Sequence, residues 1–429
     1  MELTVIWATK IFLAFLFTRT LVQAYLDLRH QRHIWINRKQ VPAPFDRSGG
    51  IGLEDHQKAV TYSMEKIKTG KVFRTVHLLI LLAWTLAGGL ELFTQWAAKA
   101  NDLFPSLASP ILEGLCLFIL FSLVELLLNL PESIYYTFVI EAKFGFNRTT
   151  PKIFVIDLFK GLAVSAVIGL PFASLLLWLM MTFVGSWWWI GFICTTLFQV
   201  LLIWAYPTLI APLFNKFTPL EEGETKAQIE DLLEKTKLPF KGLFVMDASK
   251  RTAHGNAYFT GFGKARRIVF FDTLLKSLSP AEMRAILAHE IGHYKKHHLI
   301  KGLLISIVST FIGFYLLGVL AEWPTFFIAH GVKTITLGGT LLLFTLVAPV
   351  YTFFFVPLGN LISRKHEYEA DQFAAQHADP EDLVNGLIKL YRENASTLTP
   401  DPVYSAFYYS HPPAVERARA LLSKSSNHS

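Results

Sequence analysis

Two histidines one helical turn apart, with a glutamate beside the first, could bind and activate a metal ion. They stand in the sequence His289-Glu290-Ile291-Gly292-His293. Residues at positions i and i+4 lie on one face of a helix, so both imidazoles can ligate a single Zn²⁺. Glu290 then lies beside the ion, where its carboxylate can take a proton from an activated water. The pattern predicts zinc-dependent hydrolysis, and the alternative is a helix with two surface histidines.

The residues around this pattern predict the helix that it requires. Ser279 can cap a helix N-terminus, Pro280 fits the first turn, and Glu282 completes a capping box. Two short strands are predicted upstream, at residues 242–247 and 267–271, because both runs are apolar and rich in Val and Phe. We therefore expect a helix with a small β-sheet beside it.

A third metal ligand is expected elsewhere, because a catalytic zinc has three protein ligands and one open position. Glu367 could ligate the ion while Asp371, one turn further along a predicted helix, orients a ligand histidine. The spacing alone does not rank Glu367 above the other candidates, and a charged, membrane-proximal helix face is the alternative interpretation. The candidates closest in sequence are Asp272, His297, His298, His366, Glu367, Glu369, Asp371 and His411.

Apolar segments long enough to cross a bilayer must position these residues. Hydrophobic residues make up 52% of the 429 residues and charged residues only 17%, whereas a soluble protein has about 25% charged residues. No acidic or basic residue occurs between positions 161 and 215, and the three tryptophans at 187–189 divide that run at an expected membrane interface. The first segment could instead be a signal peptide. We predict seven spans, at about 3–25, 75–96, 110–130, the two halves of 161–215, 302–321 and 334–363.

The basic residues are concentrated in alternate loops. Ten Lys or Arg residues lie between positions 26 and 74, and the segments near 143–152, 216–301 and after 364 are also basic. This alternation predicts an N-terminus outside and a C-terminus inside, which places the zinc domain on the cytoplasmic side. The net charge of +7 is therefore interpreted as topology and contact with anionic membrane lipid, and no nucleic-acid partner is expected.

Two polar segments are long enough to fold in water, and we expect them to pack together as one domain. The predicted division is residues 1–215 for spans one to five, 216–299 for the first part of the zinc protease domain, 300–363 for spans six and seven, and 364–429 for its second part. Cys116 and Cys194 each lie in an apolar run, which favours packing over a disulfide.

The combination of these motifs resembles the type I CaaX prenyl protease family, the intramembrane zinc metalloproteases that act on farnesylated proteins. The resemblance covers nearly the whole chain. The HExxH pattern alone occurs in many proteases, and its combination with the acidic and His-Pro motifs is more specific. The motifs that carry it are IEAKFGFN (140–147), IAPLFNKF (210–217), DASKR (247–251), GNAYF (255–259), 267–275, the HExxH, EYEAD (367–371) and SHPP (410–413) with Arg417.

The resemblance implies a fold and a metal site. The implied fold is an α-helical integral membrane protein with seven transmembrane helices that form a barrel around a chamber, capped by a mostly helical zinc protease domain with a small β-sheet. It implies one Zn²⁺ held by His289, His293 and Glu367, with Glu290 as general base. It also implies that Asp371 supports one of the metal ligands without binding the metal itself.

Three further residues receive roles from the resemblance. His411 is implied to line the active site and stabilise the oxyanion, Arg417 to buttress the site, and Asn256 to lie beside an edge strand that accepts the substrate main chain. Simpler alternatives are a packing residue at a helix start for His411, a surface helix residue for Arg417 and a turn residue for Asn256.

The expected activity is removal of the C-terminal tripeptide from prenylated CaaX-type proteins or peptides, so the expected partners are a lipidated peptide or protein and membrane lipid. The short loop at 322–333 and a tail without a dilysine signal favour a bacterial inner membrane, with the endoplasmic reticulum membrane as the alternative. A quality-control metalloprotease for membrane proteins is the rival within the same chemistry. A transporter with a chance HExxH is the rival of another class.

Overall fold

Long helices form most of the structure, a computed structural model that describes residues 2–238, 240–260 and 267–425. The helices before the sheet are α1 (Glu2–Ile36), α2 (Leu53–Trp84), α3 (Gly89–Asp102), α4 (Pro110–Tyr135), α5 (Pro151–Thr182), α6 (Trp187–Ala205) and α7 (Ala211–Phe214). The strands and intervening helix are β1 (Phe217–Pro219), α8 (Glu224–Lys235), β2 (Gly242–Met246), β3 (Ala257–Thr260) and β4 (Arg267–Phe271).

A second helical series follows the sheet. It consists of α9 (Asp272–Ser277), α10 (Pro280–Lys295), α11 (His298–Ala321), α12 (Pro324–Ala329), α13 (Leu337–Thr352), α14 (Val356–His377), α15 (Pro380–Glu393), α16 (Pro402–Tyr408) and α17 (Ala414–Ser425). Within this series, α10 carries the HExxH residues and α14 carries the acidic motif.

Six continuous helical segments are long and apolar enough to cross a bilayer, and α2 with α3, bent by 57°, forms a seventh candidate. The bent pair covers the second predicted span. The first segment, for which a signal peptide was the alternative, is the helix α1, and its Thr9 hydroxyl donates to the Ala329 carbonyl oxygen at 2.9 Å. The predicted helical membrane fold is confirmed. The six segments are Glu2–Lys39, Pro110–Glu141, Pro151–Thr182, Trp187–Phe214, His298–Ala321 and Leu337–His377.

The four strands form one sheet in the order β1-β2-β4-β3. The chain continues from β4 through α9 into α10. Strands β2 and β4 are parallel, and the other two pairings are antiparallel. In the described part of the chain β3 pairs with β4 alone, so its other side is a free edge. Asn256 immediately precedes this edge strand. The small sheet expected from sequence is therefore present, and both predicted strands belong to it.

The packing of α10 against α14 brings together the two parts of the chain that carry the HExxH and acidic motifs. The predicted capping box begins α10, because the Ser279 amide donates to the Glu282 carboxylate at 2.7 Å and the Glu282 amide to the Ser279 hydroxyl at 3.3 Å. Further along α10, a Cβ atom at Gly292 would lie 2.9 Å from the Ala370 Cα and 3.0 Å from its carbonyl oxygen. The two backbones thus approach as closely as glycine permits.

This contact predicts the effect of one added methyl group. We expect Gly292→Ala to lower the free energy of unfolding by about 1–3 kcal/mol, because the Cβ would meet backbone that cannot move aside without shifting α14. The matched control is Gly313→Ala in α11, where no atom lies within 4 Å of the added Cβ. The measurement is thermal unfolding of the purified protein in detergent, and equal stability of the two variants would contradict the prediction.

Candidate metal centre

The two histidines of α10 and one carboxylate of α14 converge on a single point. The His289 Nε2 and His293 Nε2 atoms are 3.2 Å apart. The Glu367 carboxylate places Oε2 at 3.4 Å from His289 Nε2 and Oε1 at 3.2 Å from His293 Nε2. Two ligand atoms about 2.05 Å from a tetrahedral ion lie roughly 3.3 Å apart, so these three side chains can share one ion.

A buried oxygen in this group supports the same interpretation. Glu367 is 3% exposed, and its Oε2 atom has no hydrogen-bond partner among the described residues. Leaving a buried carboxylate oxygen without a hydrogen bond is costly, and a bound cation would remove that cost. The two-histidine, one-carboxylate donor set is also one that zinc accepts.

An ion-pair network surrounds the His289 side of the centre. The Asp371 Oδ1 atom lies 2.9 Å from His289 Nδ1, and the Arg417 guanidinium donates to both Asp371 oxygens, at 2.9 and 2.6 Å. Burial acts to lower the pKa of Arg417, but the adjacent Asp371 carboxylate raises it above its ordinary value, so the guanidinium stays charged. Arg417 is 7% exposed, which excludes the surface-residue alternative for it.

The other side of the metal centre carries His411 and Glu290, whose side chains are both at least partly exposed. The His411 Nε2 atom is 3.3 Å from Glu367 Oε1, and its side chain is 64% exposed. Glu290 is half-buried and follows His289 on α10. Within the described residues, its carboxylate makes no hydrogen bond or ion pair with the protein. An accessible carboxylate and an accessible imidazole thus lie at the open side, where a water and a substrate could enter.

Asn256 lies apart from this group, at the start of the free sheet edge. Its side chain is exposed, and its Oδ1 atom accepts from the Ala257 amide at 2.8 Å. The preceding loop is held in place because His254 contacts the Glu141 carboxylate at 3.2 Å and the Asn394 side chain at 3.0 Å. Asn256 therefore both lies in a turn, which was the simpler alternative for it, and lies beside an edge strand.

The comparisons with known proteins cover the chain from end to end. A family model described as CAAX prenyl protease N-terminal, five membrane helices, matches residues 30–216, and the peptidase family M48 model matches residues 219–425. CAAX prenyl protease 1 of Saccharomyces cerevisiae is 35% identical over 393 residues, which is 86% of each chain. The Homo sapiens CAAX prenyl protease 1 homolog is 32% identical over 463 residues, 95% of this chain and 94% of the relative.

A solved structure is similar throughout. The crystal structure of S. mikatae Ste24p matches with a TM-score of 0.87 at 34% sequence identity, covering 96% of this chain and 98% of that one. The chain belongs to the type I CaaX prenyl protease family. It is therefore an integral-membrane metalloprotease, as the sequence predicted, and the transporter alternative is rejected. A metallopeptidase requires a metal, and the group formed by His289, His293 and Glu367 is suited to hold it.

The other candidate ligands of this metalloprotease lie elsewhere. Asp272 accepts hydrogen bonds from the amide and the hydroxyl of Ser249, which fixes the turn after β2. His366 stacks on His298 with ring centroids 4.0 Å apart. Glu369, two residues from Glu367 on α14, contacts His298 at 2.9 Å. On α14, Glu367 therefore faces the histidines of α10, whereas Glu369 faces His298.

His298 is the residue whose contribution the sequence did not reveal, since the sequence offered it only as one of several candidate ligands. It is 7% exposed, and its Nδ1 atom lies 3.0 Å from His293 Nδ1. Because Glu369 can only accept from the Nε2–H of a neutral His298, the Nδ1 atom of that ring accepts from His293. The Nε2 lone pair of His293 then points toward the centre, as Asp371 arranges for His289.

We expect His298→Phe to weaken metal retention about 10- to 100-fold, the usual effect of removing a hydrogen-bond partner of a ligand histidine. Phenylalanine keeps the ring that stacks on His366 but can neither accept from His293 nor donate to Glu369. The measurement is metal release to a competing chelator. The control is the exposed neighbour His297, changed to asparagine because its φ of 58° is left-handed. Equal retention by both variants would show that His298 only packs.

Proposed function

We propose that the protein is a zinc endopeptidase that removes the C-terminal tripeptide of prenylated CaaX-type proteins or peptides. The observation that carries the proposal is the convergence of His289, His293 and Glu367 in a chain whose membrane helices adjoin the same unit. The names of the relatives, CAAX prenyl protease 1 in yeast and its human homolog, support this choice of substrate.

In the proposed mechanism, His289, His293 and Glu367 would hold Zn²⁺. When bound, zinc lowers the pKa of its water and polarises the scissile carbonyl. Glu290, whose carboxylate has no hydrogen bond or ion pair with the described residues, accepts a proton from the attacking water and delivers it to the leaving amine. Asp371 holds His289 through its Nδ1–H at 2.9 Å, so that Nε2 stays available as a ligand atom.

Three further residues have roles in this proposal. The exposed His411 imidazole donates a hydrogen bond to the oxyanion that forms on the scissile carbonyl. Arg417 keeps both buried carboxylates in place, since it contacts Asp371 at 2.6 Å and Glu367 at 3.4 Å. The substrate main chain adds to the free edge of β3 next to Asn256, which gives affinity with limited sequence reading.

A prenyl group favours approach of the substrate through the membrane. A farnesyl chain has 15 carbons, and each buried methylene contributes about 0.8 kcal/mol. The apolar membrane helices offer contact for that chain, while the sheet edge offers contact for the peptide. The proposed partners are thus a lipidated peptide or protein and the surrounding lipid.

We also propose the division and orientation expected from sequence: membrane parts at 1–215 and 300–363, and a zinc protease domain formed from 216–299 and 364–429 on the cytoplasmic side. The basic segment between positions 26 and 74 supports this orientation. The short loop at 322–333, between α11 and α13, favours the bacterial inner membrane over the endoplasmic reticulum as the location.

The orientation predicts opposite accessibility of two exposed positions. In a variant with Cys116 and Cys194 replaced by alanine, a cysteine at Lys276 should react with an impermeant thiol reagent only after the cells are opened. A cysteine at Asp102 should react in intact cells, because α3 ends on the other side. Labelling of both positions from the same side would contradict the proposed topology.

The deciding experiment is cleavage of a farnesylated CaaX peptide beside its unprenylated twin, with mass spectrometry of the products. We expect release of the C-terminal tripeptide and a higher kcat/KM for the farnesylated peptide, because lipid contact adds binding energy. The control Glu290→Gln should retain metal and lose turnover by at least 100-fold, a loss at the low end for general base catalysis. Equal efficiency on both peptides would favour the quality-control protease instead.

A further inference from the structure

A cavity of about 540 Å³ lies where α5 and α7 meet the loop after β2. Its volume is within the usual range of ligand sites, about 300–1,000 Å³. None of the proposed metal ligands lines it, so it is separate from the metal centre. One wall is apolar and includes Ile156, Leu213 and Phe214, and the other consists largely of charged side chains.

This cavity lies at one boundary of the membrane-crossing region. No acidic or basic residue occurs from position 161 to 215, so Lys160 and Lys216 are the charged residues at the two ends of an apolar run. The Lys160 ammonium donates to the Leu213 carbonyl oxygen at 2.7 Å, which brings the two ends of that run together. Charged side chains at the ends of apolar spans reach the headgroup region. The two lysines therefore lie at the level of the lipid headgroups.

Each of the two carboxylates that line the cavity is already paired with a cation of the loop after β2. The Asp157 carboxylate of α5 accepts two hydrogen bonds from Arg251, at 2.8 and 3.0 Å. The Asp247 carboxylate forms an ion pair with Lys250 at 2.6 Å. These four charges compensate one another, and the carboxylates are not available to the remaining cations of the cavity.

The remaining cations, Lys160 and Lys216, have no anionic partner among the described residues. The Lys160 ammonium bonds to a neutral carbonyl oxygen and lies 5.9 Å from the centre of the Phe214 ring. The Lys216 side chain is exposed, and its ammonium makes no hydrogen bond or ion pair in the described part of the chain. The cavity thus carries an excess of two positive charges.

Positive charge beside an apolar wall is suited to an amphiphile with an anionic head. Ile156 is 41% exposed and Leu213 is 50% exposed, so apolar surface adjoins the two lysines. Ammonium groups form strong charge-assisted hydrogen bonds with phosphate oxygens, and basic pockets beside membrane helices bind anionic lipid headgroups. A free phosphate ion has the same charge chemistry but would not contact the apolar wall, which favours a phospholipid.

We propose that Lys160 and Lys216 bind the phosphate group of an anionic phospholipid whose acyl chain lies against Ile156 and Leu213. This inference goes beyond contact with the surrounding lipid, because it assigns one specific site, and it does not depend on the proposed peptidase function. The headgroup bridges α5 and the segment that leads from α7 into β1. It therefore strengthens the same junction between the spans and the sheet that the ion pair of Arg251 makes.

The test measures binding of phosphatidylglycerol to the purified protein in dodecyl maltoside by native mass spectrometry, with phosphatidylcholine as the zwitterionic comparison. In the wild type we expect phosphatidylglycerol to bind about tenfold more tightly. Lys160→Gln and Lys216→Gln should each raise its Kd about fivefold, the effect of removing one lysine from an anionic lipid. Lys160→Arg keeps the charge and should bind as the wild type does. The matched control Lys152→Gln removes an exposed lysine of α5 outside the cavity and should leave the Kd unchanged.

Three results would overturn the proposed lipid site. If Lys152→Gln weakened binding as much as the cavity variants, the attraction would be a general effect of positive charge. If phosphatidylcholine bound as tightly as phosphatidylglycerol, no anionic headgroup would be recognised. If inorganic phosphate at the same concentration displaced phosphatidylglycerol, the cavity would hold a free ion. Thermal unfolding without lipid identifies a variant that fails to fold, and Lys216→Gln then supplies the comparison, because its ammonium has no partner among the described residues to lose.

Discussion

The close contact between α10 and α14 is the constraint on which the rest of the site depends. At Gly292 the two backbones approach so closely that a Cβ atom would lie 2.9 Å from the Ala370 Cα. His289 and His293 flank that glycine on α10, and Glu367 lies one turn before Ala370 on α14. The separation of the helices therefore sets the distances of 3.2–3.4 Å between the proposed ligand atoms. A larger residue at the crossing would separate the ligands before it disturbed either helix.

Such proximity concentrates buried charge, which the surrounding side chains compensate. Glu367 and Asp371 are each 3% exposed, and the buried Arg417 contacts both. Removing one member of a buried ionic group leaves the others unpaired and costs several kcal/mol. The same contacts orient the two histidines proposed as ligands: Asp371 accepts from His289, and His298 accepts from His293. Compensation of charge and alignment of lone pairs are thus achieved by the same residues.

The membrane helices and the protease unit are joined by specific polar contacts. Arg251, which follows β2, makes two hydrogen bonds to the Asp157 carboxylate of α5, at 2.8 and 3.0 Å. An isolated β-bridge pairs Asn147 with Thr252. The first contact involves a membrane helix and the second a loop that adjoins one, so the sheet edge cannot shift freely relative to the spans. This arrangement places the edge beside a cavity of about 630 Å³ that Asp27 of α1 and Arg74 of α2 also line.

The sequence by itself determined the local features: the apolar spans, the capped helix at Ser279, and the paired histidines, because helical periodicity and capping depend on neighbouring residues. Resemblance to a family then selected Glu367. Only the tertiary structure decided that Glu367 faces α10 while Glu369 contacts His298, since both glutamates suit the same helix and only the crossing with α10 separates their surroundings. The contact of His298 with Glu369 and the free edge of β3 likewise arise from the pairing of residues far apart in sequence. No local pattern encodes such contacts.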